Sequence, residues 1–236
     1  MTAASFAGQA VLDVYLAAIA EMPTRCEPAC AARRRALART KDPGLKRQRA
    51  CAWHLLELAA GHSFGLDARE LAFSCDGTGR WSCGEMEFSL SHSAGAVAAA
   101  VSDRPVGVDI EEIRAFAARC GENGETVKAM LRRIAAPEEL TDSEGREAET
   151  LLRLWTGKES LFKSMHDDGF LPKSRRCGAE TKQFVVPLPP ELCLAVSGER
   201  IEALRIFAYR PDGLRRLDAA KLPGGTEALR SALSGI

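Results

Sequence analysis

The chain has 236 residues, of which 46% are hydrophobic and 27% charged, which is enough apolar material for a substantial core. Lys and Arg together number 32, as do Asp and Glu, so there is no global basic field to drive sequence-independent binding to nucleic acid or an anionic membrane; any phosphate binding must be local. No basic segment followed by an apolar stretch opens the chain, and no apolar run reaches the roughly eighteen residues that span a bilayer, so a cytoplasmic protein without a membrane partner is expected.

In chain order, residues 11–16 (VLDVYL) predict a strand and residues 29–40 an Ala/Arg-rich helix carrying Arg33, Arg34, Arg35 and Arg39, broken by Asp42-Pro43-Gly44. A stronger helix follows over 45–60, exposing Lys46, Arg47 and Arg49 in its first turns, with Gly61 placed to end it. Residues 71–74 predict a strand, 76–81 a turn, and 88–93 an alternating strand that runs into Ala94-Gly95. Residues 96–101, the turn 102–105 and residues 106–111 together predict a hairpin with a four-residue loop, although the alanines leave its first arm open to a helical reading. Two helices are expected at 125–135 and 144–165, then a basic loop over 172–178, a late strand pair at 192–196 and 204–209, and a weaker continuation to 220. Strand, helices and strands occur once before residue 108 and again after it, which suggests two α+β halves, residues 1–105 and 106–236, without a residue-level repeat. None of the eight cysteines forms a CxxC pair and the four histidines do not cluster with them, so free thiols are expected; Cys26 and Cys30 come closest to a ligand pair.

Two runs concentrate charge in a pattern with chemical meaning. In Val106-Gly107-Val108-Asp109-Ile110-Glu111, alternation places the three β-branched residues on one strand face and Gly107, Asp109 and Glu111 on the other. In residues 155–163 (WTGKESLFK), helical spacing stacks Trp155, Glu159 and Lys163 beside an apolar stripe of Leu151, Leu154, Trp155, Phe162 and Met165. Carboxylates from a strand and a helix suit a hard divalent cation, which makes Asp109, Glu111 and Glu159 candidate magnesium ligands. Taken singly, Asp109 and Glu111 also read as the wet face of an amphipathic strand, and Glu159 with Lys163 as an ordinary helix pair worth a few tenths of a kcal/mol. His92, between two serines at a strand end, is either an anion contact or a capped loop histidine. Arg80 is either a phosphate ligand or a solvated turn residue, and Trp155 reads as helix packing ahead of a base-stacking platform.

Ser91-His92-Ser93, Gly107-Val108-Asp109-Ile110-Glu111 and Trp155-x-x-Lys158-Glu159-Ser160-x-x-Lys163, in that order, closely resemble the 4'-phosphopantetheinyl transferase superfamily, in its long single-chain form that activates peptide and polyketide synthetases. The resemblance implies an α+β fold of two similar halves related by a pseudo-twofold axis, with the active site in the cleft between them, and a monomer. It implies transfer of 4'-phosphopantetheine from coenzyme A to a serine of an acyl, peptidyl or aryl carrier protein, with release of 3',5'-ADP. Asp109, Glu111 and Glu159 match the family's ligands for magnesium, with manganese as the alternative cation, and Lys163 matches its pyrophosphate lysine. Ser91 and His92 match groups that meet the nucleotide phosphates, Arg49 and Arg80 match basic residues near the 3'-phosphate, and Lys158 joins them among the coenzyme A contacts. Glu159, Lys163 and His92 are then the catalytic candidates, Glu159 as a metal ligand or as a base acting through water.

Three departures from the pattern stand out: Ala50 where a threonine or serine is common, Gly79-Arg80-Trp81 for Gly-Lys-Pro, and His166-Asp167-Asp168-Gly169 for a Gly-x-Gly turn. Lys173, Arg175 and Arg176 read as a solvated loop or as a face for an acidic carrier protein. Two other functions remain compatible with the same residues: a non-catalytic coenzyme A or carrier-binding module, and a magnesium-dependent pyrophosphate hydrolase.

Overall fold

Strand β1 (Val11–Ala18) is apolar except for Asp13, and both of its faces are covered. Leu12, Val14 and Leu16 enter one core, while Tyr15 and Ala17 enter another on the opposite side. The structure, a computed structural model, describes residues 11–112, 116, 124–140, 147–165, 181–188 and 192–217. The predicted basic loop at 172–178 and the 166–169 turn lie outside the described residues.

After β1 come helix α1 (Ala31–Ala38) and helix α2 (Pro43–Ala59). The breaker at Asp42-Pro43 is a helix start: Asp42 Oδ1 accepts the Leu45 N–H at 2.6 Å and proline takes the first turn, where a missing N–H costs nothing. The helix does not stop at Gly61 as expected. It continues as a π-helical turn over Ala60–Phe64 and ends at Gly65, whose φ of 69° is the left-handed conformation that glycine adopts without strain.

Strands β2 (Phe73–Cys75) and β3 (Trp81–Cys83) form a small ribbon, and β4 (Glu87–His92) and β5 (Ala96–Ser102) follow. The alanines of β5 are strand after all. Ala96, Ala98 and Ala100 fill the narrow space between two packed sheets, whereas Val97, Ala99 and Val101 pack toward α2. Beyond β6 (Val106–Glu112) come α3 (Gly124–Ile134), a 3-10 turn (Pro137–Leu140), α4 (Glu147–Met165), β7 (Thr181–Leu188), β8 (Leu192–Glu199), β9 (Ala203–Arg210) and β10 (Gly213–Leu217).

The larger sheet has the order β10-β9-β1-β5-β4, antiparallel except for the parallel β1–β9 pair; the second is antiparallel, β6-β8-β7. Their facing sides share one core of Leu12, Val14, Val108, Ile110, Leu194, Val196 and Ile206. Helix α2 covers the outer face of the first sheet, and α3 and α4 cover the second, giving four layers, α/β/β/α, of a mixed α+β protein.

Two expected pairings are corrected. Strands β5 and β6 are not a hairpin: β5 lies between β1 and β4, β6 pairs β8, and the turn at 102–105 passes from one sheet to the other. Likewise β8 and β9 pair in different sheets rather than with each other. Strand β9 sits beside β1 and β10 beside β9, so the larger sheet takes strands from both sides of residue 105.

Candidate functional site

Glycine at position 107 brings the acidic strand and the charged helix together. A Cβ there would lie 1.8 Å from the Ser160 carbonyl oxygen and 2.7 Å from the Ser164 nitrogen, so only glycine lets the α4 backbone rest on β6. The acidic face of β6 is therefore not wet. Asp109 and Glu111 are buried, 3% and 9% exposed, beneath the turn of α4 that carries Glu159 and Lys163.

Asp109 Oδ1 accepts hydrogen bonds from Lys163 Nζ and Ser91 Oγ, each at 2.7 Å. Lys163 Nζ also donates to the Val108 carbonyl at 3.2 Å and lies 3.6 Å from Glu159 Oε2. Burial works against the ammonium charge, but Asp109, Glu159 and Glu111 outweigh it and hold the Lys163 pKa above its ordinary value. All three carboxylates thus act on one point.

Among the described residues no group of three or more His, Cys, Asp or Glu stands close enough together to hold a metal ion, and Lys163 supplies the positive charge between Asp109 and Glu159. Asp109 Oδ2, however, is buried without a hydrogen-bond partner. An ionised oxygen in that state is costly, and an all-oxygen donor set of Asp109, Glu111 and Glu159 fits a hard cation that would satisfy it.

Beside this cluster opens a cavity of about 470 Å³, lined by α1, α2, the β2–β3 turn, β4 and α4. Arg33, Arg49, Arg80, His92 and Lys163 face it, with Trp81, Phe88 and Phe162 as apolar walls. Asp76, a carboxylate in this lining, is committed to its own turn, accepting from Thr78 N and Oγ1 and from Arg80 N. Positive charge therefore predominates, as an anion site requires. Burial, then Lys163 and Arg49, push the His92 pKa below its ordinary value against the pull of Asp109, so the ring is neutral near pH 7.

Of the residues singled out from sequence, Arg49, Arg80, His92 and Lys163 meet at this cavity. Arg80 is anchored across the cleft, its Nη2 donating to the Lys163 carbonyl at 2.8 Å. Lys158 is elsewhere: it is buried and paired with Glu139 at 2.8 Å, tying α4 to the 3-10 turn, and is not among the cavity-lining residues. Ser91 is likewise not among them. Trp155 packs near Phe116, with ring centroids 6.1 Å apart.

Arg33 is a residue the sequence reading did not single out. Its guanidinium lies 4.7 Å from the Trp53 ring centre and 5.3 Å from that of Trp81, its Nε is buried without a partner, and burial beside Arg49 pushes its pKa down to about 10. In sequence it is one of three consecutive arginines on a weakly amphipathic helix, and only the two tryptophans distinguish it.

A cationic cavity thus adjoins a buried acidic strand and a charged helix in an α+β protein, an arrangement whose charge suits an anionic ligand. Residues 105–177, which include β6 and α4, match the family model of the 4'-phosphopantetheinyl transferase superfamily. A Bacillus subtilis protein named 4'-phosphopantetheinyl transferase is 27% identical over 116 residues, covering 46% of this chain and 47% of that protein. The chain thus aligns with about half the length of that curated relative, and its likeness to the superfamily model is confined to residues 105–177.

Proposed function

We propose that the protein transfers 4'-phosphopantetheine from coenzyme A to a carrier-protein serine, releasing 3',5'-ADP. The observation that carries this reading is the junction of the two features above: the cavity that gathers Arg33, Arg49, Arg80 and Lys163 adjoins the buried carboxylates of Asp109 and Glu111 and the part-exposed one of Glu159. In this reading residues 1–105 and 106–236 are the two halves of a pseudo-twofold fold, and coenzyme A lies between them.

The chain's own contribution is positioning and charge neutralisation, which phosphoryl transfer needs more than covalent help. Arg33, Arg49 and Arg80 bind the nucleotide phosphates, and neutral His92 donates its one ring N–H to the same anion. Lys163 meets the pyrophosphate. Asp109, Glu111 and Glu159 would hold a divalent cation, which when bound offsets charge on the pyrophosphate and its leaving group. Glu159, the carboxylate among these that is about a third exposed, takes the serine proton through a water.

Incubation with coenzyme A, magnesium and apo carrier proteins of several classes, followed by intact mass spectrometry, tests this. A carrier heavier by one phosphopantetheine is the expected product. No mass gain on any carrier overturns the reading, and 3',5'-ADP released without a carrier makes the protein a hydrolase instead.

A further inference from the structure

The two sheets are joined at the site by a ladder that uses side chains in place of a strand. Among the described residues strand β6 pairs with β8 on one side only, so its alternate N–H groups point away from any strand partner there. Those of Val108, Ile110 and Glu112 would be unpaired donors in a largely buried strand. Each instead donates to a serine hydroxyl of the segment beginning at β4: Val108 N–H to Ser89 at 3.0 Å, Ile110 N–H to Ser91 at 3.1 Å and Glu112 N–H to Ser93 at 2.9 Å. The constant offset of 19 residues shows that the two segments run in register, rung by rung.

A serine hydroxyl that accepts one bond still has one proton to give. Among the three rungs, Ser91 is the one that gives it to a carboxylate, Asp109 Oδ1 at 2.7 Å. Ser91 and Lys163 therefore hold the same carboxylate oxygen, and the other, Oδ2, is left buried and unpartnered. With its proton engaged, Ser91 has no donor left for a ligand phosphate, and its side chain is buried.

We propose that Ser91 is a positioning residue: its hydroxyl ties the β4 and β6 strands together and fixes the rotation of the Asp109 carboxylate so that Oδ2 faces a divalent cation. This rests on the metal-dependent reading given above. It replaces the expectation that Ser91 touches the nucleotide.

The comparison of Ser91→Ala with Ser93→Ala tests the proposal, because both remove a rung but only Ser91 touches Asp109. Each variant is expected to lower the unfolding midpoint by about 2–8 °C, from one unpaired N–H. Mn2+ titrated into the full chain, with and without coenzyme A and followed by electron paramagnetic resonance, should bind about tenfold more weakly to Ser91→Ala, as loss of a group orienting a metal ligand does. Ser93→Ala should bind within about twofold of the parent. Ser91→Thr, which keeps the hydroxyl, should restore affinity and serves as the comparison if Ser91→Ala does not fold. Equal Mn2+ affinity in the parent and Ser91→Ala, or equal loss in both alanine variants, overturns the proposal while leaving the metal reading intact. A parent that binds no Mn2+ under either condition overturns both.

Discussion

His92 shows how neighbouring charge sets the state of one side chain. Its ring is part-buried and faces Lys163 and Arg49, so the neutral form is favoured in the folded protein and the pKa falls below 6.5. In the unfolded chain the ring takes up its proton near 6.5, so the unfolded state holds more protons once pH drops below that value. His92 therefore contributes stability that is full above about pH 6.5 and is lost as pH falls toward the folded pKa. An NMR titration of the free protein should place the His92 midpoint below 6.5. Adding coenzyme A should raise it, because bound phosphate reverses the local sign of charge. A free-protein midpoint at or above 6.5 would mean that the cationic surroundings are not felt at this ring.

At the scale of elements, the site depends on how closely α4 lies on β6. A methyl group at position 107 would meet backbone rather than a flexible side chain, so neither element can yield without moving the other. Gly107→Ala is expected to destabilise the protein by about 3 kcal/mol in denaturant unfolding, at the upper end of overpacking costs, and to displace Glu159 and Lys163 from Asp109. A loss below about 1 kcal/mol would contradict the close approach. This contact also marks where sequence reading stops. Alternation in β6 and the helical repeat in α4 were legible, as were Asp109, Glu111, Glu159 and Lys163, because each pattern repeats within a few residues. What lay opposite each face was not legible, because alternation reports that a side differs and not what covers it; the acidic face thus read equally well as solvated. The β5–β6 turn failed for the same reason, since strands bound for different sheets carry the same local cues as a hairpin. Strand β7, which contains Pro187, was missed, as proline counts against a strand except at an edge, and β7 is an edge.

At the scale of the molecule, folding of the first hundred residues depends on strands that come much later. Strand β1 takes β9 as its parallel neighbour, and Asp13, 2% exposed, is held by Arg205 at 2.5 and 2.6 Å and by Ser63 at 2.5 Å. Removing the partner of a buried carboxylate typically costs about 3–5 kcal/mol, although Arg205 is itself part-exposed and the lower end applies. Leu12, Val14, Leu16, Ala96, Ala98 and Ala100 would also lose the sheet that covers them. Three losses therefore coincide in a fragment cut at residue 105: an open edge on β1, a buried carboxylate without its guanidinium partner and a bare apolar face. Net domain stability is typically only about 5–15 kcal/mol, so the fragment of residues 1–105 is expected to lack a cooperative unfolding transition and dispersed amide resonances. If it showed both, the α2-covered layers would be an independent folding unit and the β1–β9 pairing an accessory to it. If it showed neither, the cavity and the acidic cluster form only when both sheets are present, and the site cannot be assembled from one side alone.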